Sequence, residues 1–189
     1  MNLLHRIAFT AAIAFALPAA AAEPTTNYSV HQSPKPVPAL SFTDRDGQLR
    51  KLENFRGKVV LLNIWATWCY SCRKEMPTLD HLQAQLGSAD FEVVALSIDR
   101  DGLDIVSKFY DEIGVQHLAT YIDVSGKVGF ALSILGLPTT LLIDREGQEL
   151  GRLIGPAEWD TPETIAFLRS VLAWTQNPGA GPQHEKKRP

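Results

Sequence analysis

The chain has two cysteines, Cys69 and Cys72, three positions apart at the point where an apolar run gives way to a helix-patterned segment. Residues 59–64 read Val-Val-Leu-Leu-Asn-Ile, the signature of a strand covered on both faces. After the pair, Cys72, Met76, Leu79, Leu82 and Leu86 recur at helical spacing, with Pro77 inside the segment as an expected kink and Gly87 as its stop. A Cys-x-x-Cys at such a junction has a physical logic. The first sulfur meets unsatisfied backbone N–H groups and the positive end of the helix dipole, which favour its thiolate, so Cys69 is expected to be the reactive thiol. Cys72 comes round the first turn close enough to close a disulfide and would be the resolving thiol. The competing readings are half of a zinc site, which would need two further ligands where only His81 is nearby, and two inert core cysteines.

The N-terminus carries Arg6, an apolar segment over 7–17, Pro18 and four alanines before Glu23, which reads as a secretory signal peptide over 1–22. An uncleaved membrane anchor is the alternative, although the segment is shorter than the roughly 20 residues a span requires. Export would put the chain where disulfides persist, yet it holds no second cysteine pair to serve as a structural staple, so this pair is expected to turn over. An apolar content of 45% with 21% charged residues is that of a globular domain, and a net charge of -3 offers no basic surface for nucleic acid.

Residues 23–38 are rich in Thr, Ser and Pro and read as an extended linker. A domain is expected over 39–175. It opens with a hairpin whose strands flank Asp44-Arg45-Asp46-Gly47, followed by a turn at Phe55-Arg56-Gly57-Lys58 that leads into the 59–64 strand. Beyond the cysteines the pattern predicts a strand over 91–97, an amphipathic helix through Ile105, Val106, Phe109, Tyr110 and Ile113 ended by Gly114, and a short strand over 119–122. It then predicts a helix over 127–135 with Val128, Ala131, Leu132 and Leu135 on one side, a strand over 139–143, and a hairpin turning at Asp144-Arg145-Glu146-Gly147. Thr161 caps a closing helix with Pro162 in its first position, and 176–189 reads as a disordered tail. Strands alternating with helices, then a terminal hairpin, imply an α/β fold with a central mixed sheet flanked by helices.

The Trp-Cys-x-x-Cys after a strand, the following proline-bearing helix and the later Gly-Leu-Pro-Thr-Thr before a strand together resemble the thioredoxin-like fold. Arg56-Gly57-Lys58, Asn63-Ile64-Trp65-Ala66-Thr67-Trp68-Cys69 and Cys72-Arg73-Lys74-Glu75-Met76-Pro77 resemble the TlpA/ResA group of exported thiol:disulfide reductases, and Gly155-Pro156-Ala157-Glu158-Trp159 is most similar to the TlpA branch. The resemblance implies an N-terminal hairpin and a central strand-helix insertion added to the thioredoxin core. It implies that Pro138, after Leu137, is the family's cis-proline and guides a partner's cysteine segment beside the disulfide. It implies that Glu75 handles the proton of Cys72, a duty open because Asn63 stands where thioredoxins carry a buried Asp. Trp68, an aromatic just before the active cysteine, either shields the site or offers a flat docking surface. One departure is Tyr70-Ser71, since many relatives place Pro before the second cysteine, and the central dipeptide tunes the potential.

The function so implied is a periplasmic protein-disulfide reductase. It would work through Cys69 and Cys72 with no further cofactor or metal, on apocytochrome c or on copper-assembly factors, and would be re-reduced by a membrane thiol transporter of the DsbD/CcdA kind. The rivals are an oxidant that donates disulfides, for which a cation in the central dipeptide would be expected, and a non-enzymatic copper-binding module using the two thiolates.

Overall fold

The computed structural model describes residues 29–176. The signal segment over 1–22 and the tail beyond Gln176 lie outside the described residues. In chain order the elements are β1 (Ser29–Pro36), β2 (Ser41–Asp44), β3 (Leu49–Lys51), a 3-10 turn at Leu52–Phe55, β4 (Val59–Trp65), α1 (Tyr70–Leu86), β5 (Phe91–Ser97) and α2 (Leu103–Ile113). β6 (Tyr121–Ile122), α3 (Lys127–Ala131), β7 (Thr139–Ile143), β8 (Gln148–Ile154) and α4 (Pro162–Gln176) complete the chain. All eight strands form one sheet in the order β1-β8-β7-β4-β5-β6-β2-β3. β4 runs parallel to β5 and antiparallel to β7, so the sheet is mixed at its centre, as the thioredoxin-like fold requires.

Alternation along β4 divides the interior. Val59, Leu61 and Trp65 face a core built with α1, α2 and α4, where Met76, Leu79, Leu82, Val106, Phe109 and Leu168 pack. Val60, Leu62 and Ile64 face the opposite side, closed by Phe42 of the hairpin, Phe55 of the 3-10 turn, and Val128 and Leu132 from α3 and its end. Asn63 shares the α1 side with Leu61 and Trp65, which places a buried amide directly beneath the cysteine helix. The two tight turns are built alike: the Asp44 and Asp144 carboxylates each accept the backbone N–H of the residue four positions on, at 2.9 Å and 2.7 Å.

The structure corrects two sequence expectations. Ser29–Pro36, inside the expected linker, is a strand paired antiparallel with β8 through Val30↔Gly151 and Lys35↔Glu149, with a register irregularity between the two pairs. An edge strand needs backbone bonds on one side only, so it tolerates Pro34 and Pro36, and this one is fastened by His31 Nε2 against Glu149 Oε1 at 2.8 Å rather than by apolar burial. Composition therefore carried no strand signal. The helix expected over 127–135 stops at Ala131, because Ser133 takes a left-handed conformation (φ 52°). Val128 and Leu132 are buried as expected, while Ala131 and Leu135 face solvent. Among the described residues no helix is long and apolar enough to cross a membrane.

Candidate active site

β4 ends at Trp65, and the chain turns over Ala66, Thr67 and Trp68 before α1 begins. Cys69 is the N-cap of α1 in an extended conformation (φ -86°, ψ 106°), and its sulfur accepts the backbone N–H of Cys72 at 3.2 Å. The two cysteines form a disulfide with Cα atoms 5.3 Å apart. Cys69 is 8% exposed and Cys72 fully buried, so only one of the two sulfurs can be approached from outside. Once the bond is reduced, the same N–H group and the N-terminal end of the helix dipole stabilise a thiolate on Cys69. Ser71 Oγ lies 3.5 Å from the Cys69 sulfur, and Tyr70 projects into solvent beneath the Lys74 ammonium, 4.5 Å from the ring centre.

The Leu137-Pro138 peptide is cis. Thr139 pairs with Ile64, so the β7 register sets Pro138 level with Trp65, at the end of the sheet where the cysteine loop emerges. Pro138 is held there by its carbonyl, which accepts the Gly155 N–H at 2.9 Å. Leu137 and Trp68 line an open groove of about 500 Å³ whose other walls include Ile98, Arg100, Phe130 and Leu135. Three large apolar side chains of this rim are strongly exposed: Trp68 by 68%, Phe130 by 84% and Leu135 by 87%. The short α3 and the loop after it thus turn apolar surface outward beside the redox pair, which is where Leu135 went instead of into the core.

Glu75 is 2% exposed, on α1 three residues beyond Cys72. Asn63 Nδ2 donates to its Oε1 at 2.7 Å, while the Ala157 backbone N–H and Trp159 Nε1 donate to Oε2 at 3.1 Å and 3.3 Å. Burial pushes the carboxyl up to about 7, and these three donors, which favour the charged form, hold it from rising further. Asn63 Nδ2 also donates to Thr140 Oγ1 at 2.9 Å, which links the acid to the strand that follows Pro138. Asn63 Oδ1 is buried with no partner among the described residues.

The 155–159 segment is pinned a second time by the Trp159 N–H on Thr78 Oγ1 at 3.2 Å. Sequence reasoning singled out this segment as a motif but assigned it no task, and it did not find Ala157, Trp159 or Thr140 as partners of Glu75. A tryptophan three residues after a Gly-Pro pair was the available signal in the sequence. His81, the nearest candidate for a further metal ligand, is exposed and pairs with Asp160 at 2.9 Å. Among the described residues, no group of three or more His, Cys, Asp or Glu side chains is arranged to hold a metal.

Residues 32–167 match the Redoxin family model. The chain is 35% identical over 138 residues to the thiol-disulfide oxidoreductase ResA of Bacillus anthracis, covering 72% of this chain and 77% of that one. It is 33% identical over 124 residues to the thiol:disulfide interchange protein DsbE of Pseudomonas aeruginosa, covering 64% and 66%. Among solved structures, a Chlorobium tepidum chain described as a thiol:disulfide interchange protein DsbE superposes with a TM-score of 0.63 at 28% identity, over 78% of this chain and 99% of that one.

Proposed function

Because the chain belongs to the redoxin family, with the ResA and DsbE thiol-disulfide oxidoreductases as relatives, we propose that it is an exported reductase of protein disulfides serving cytochrome c maturation or the assembly of a copper centre in cytochrome oxidase. The observation that carries this reading is Glu75, a buried carboxyl titrating near pH 7 one helical turn from the buried Cys72. An acid so poised both takes and returns a proton at neutral pH. A carboxylate beside the pair also disfavours further negative charge there, which makes the dithiol a better electron donor. Tyr70-Ser71 adds no cation to oppose that.

In this mechanism the Cys69 thiolate attacks one sulfur of the substrate disulfide. A Cys69–substrate disulfide forms, the substrate S–S bond breaks, and the departing thiolate is protonated. Glu75 takes the proton of Cys72, whose sulfur then attacks Cys69, forms the Cys69–Cys72 disulfide and releases the second substrate thiolate. Two electrons have passed to the substrate. Trp68 and Leu137 offer apolar surface to the segment around the substrate cysteine, and Pro138 guides its backbone. A membrane dithiol of the DsbD/CcdA kind returns two electrons by the same exchange in the periplasm.

Equilibration with glutathione tests the direction. A reductase is expected near -270 mV, and a value near -120 mV overturns it in favour of an oxidant. Mixed disulfides trapped on a Cys72→Ser variant test the pathway: an apocytochrome c or a copper-assembly factor supports it, and their absence among the trapped proteins refutes it.

A further inference from the structure

Asp99 is a fully buried carboxylate that the mechanism above leaves unused. Two residues past the end of β5, it accepts the Thr67 backbone N–H on Oδ2 at 2.8 Å and the Thr67 hydroxyl on Oδ1 at 2.7 Å. Ser97 Oγ donates to Oδ2 at 2.7 Å and accepts the Asp99 N–H at 3.0 Å, which fixes the carboxylate in its own loop. No ion pair to Asp99 occurs among the described residues. Burying a carboxylate without a counter-ion is costly, so a neutral acceptor would hold an ordinary loop at less expense. What the carboxylate adds is a pair of charge-assisted bonds to a single residue, which restrain that residue in rotation as well as position.

The residue so held stands two positions before Cys69 and immediately before Trp68. Its carbonyl is held from the other side by Arg73 Nη1 at 3.3 Å, with the Arg73 guanidinium stacked 4.4 Å from the centre of the Phe109 ring. The neighbours of Asp99 matter equally. Ile98, Arg100 and Asp101 line the groove, and Trp68 lines it too. Asp99 therefore ties together two of the groove's walls that belong to different strand ends, and one of those walls carries the attacking sulfur.

We propose that Asp99 is a positioning residue of the redox site: acting through Thr67, it fixes the peptide that bears Trp68 and Cys69 against the 98–101 wall, and so governs how fast Cys69 engages a disulfide presented by a protein. The proposal rests on thiol-disulfide exchange at Cys69 and not on its direction or pathway. A protein disulfide must seat its flanking chain on both walls while its sulfur meets Cys69. A small disulfide needs only the sulfur, so it is less sensitive to the relation between the walls.

The test compares the reduced full chain reacting with insulin and with oxidised glutathione. Asp99→Ala is expected to lower the rate with insulin about tenfold and with glutathione about twofold. Asp99→Asn, whose amide oxygen can accept the Thr67 N–H while its NH2 donates to the hydroxyl, is expected to recover the insulin rate to within about threefold of wild type. If Asp99→Ala does not fold, Thr67→Val removes one of the two bonds and is expected to slow insulin about threefold, with a smaller loss on glutathione. Equal losses on both disulfides, or no loss with insulin in any folded variant, overturn the proposal. An oxidising wild-type potential would overturn the reductase reading alone, because exchange at Cys69 is reversible and the same comparison is then made with the oxidised chain reacting with reduced insulin and with reduced glutathione, where the same unequal losses are expected.

Discussion

Replacing Glu75 by Gln separates the energetic cost of the buried acid from its chemistry. In the folded protein the carboxyl keeps its proton up to about pH 7, against 4.5 for a solvated glutamate. Below 4.5 folded and unfolded chains both hold the proton, and above 7 neither does. Between those values the folded state alone binds it, so stability falls as pH rises across that window. The gap corresponds to about 3 kcal/mol lost between pH 4.5 and 7. Glu75→Gln cannot ionise and should abolish that loss. Its amide oxygen can take the Ala157 and Trp159 donors, and its NH2 can face Asn63, whose amide turns over to present the Oδ1 that otherwise has no partner. Urea unfolding of the oxidised protein at pH 5 and pH 8 is the assay. The variant should be more stable than wild type at pH 8 by about 2 to 3 kcal/mol and nearly matched at pH 5. Under the mechanism proposed above, in which Glu75 takes the proton of Cys72, it should also slow release of substrate from Cys69 at neutral pH. A wild type as stable relative to the variant at pH 8 as at pH 5 would falsify the claim that burial raises this carboxyl.

Trp159→Phe removes the indole donor from a charged acceptor, so the Glu75 carboxyl should rise by about one further pH unit. The alkaline-going limb of the resolving step should move up correspondingly in a pH-rate profile, whereas an unmoved limb places the indole outside the proton path. In the reduced protein at neutral pH, iodoacetamide should modify Cys69 and spare Cys72 until urea is added, and mass mapping of the alkylated peptide decides this. Leu82→Ala empties a fully buried site between α1 and the sheet and should cost about 2 to 5 kcal/mol in urea unfolding, with the potential unchanged in the folded variant.

Local chemistry was readable from the chain alone. The strand-to-helix junction, the N-cap position of Cys69, the buried stripe headed by Cys72, the Asp44 and Asp144 turns and the Thr161 cap each depend on residues within a few positions of one another. β1 was not readable, because an edge strand held by backbone pairing and one His–Glu contact leaves no apolar pattern. Nor was the early end of α3, where Leu135 kept helical spacing but the backbone at Ser133 turned it outward.

The site divides the same way. By itself the sequence determined that two cysteines three apart would sit at a helix start, one accessible and one not, since helix geometry and the dipole act within a single turn. Whether Glu75 was a solvated surface residue or a buried acid depended on a loop 82 residues away, whose Ala157 N–H meets the carboxylate, and on Asn63 from the neighbouring strand. The hold of Asp99 on the cysteine loop spans 32 residues. Only tertiary packing decided these, because desolvation and hydrogen bonding across the sheet, which set the proton affinity of one carboxyl and the place of another, are properties of a neighbourhood that no short stretch of chain contains.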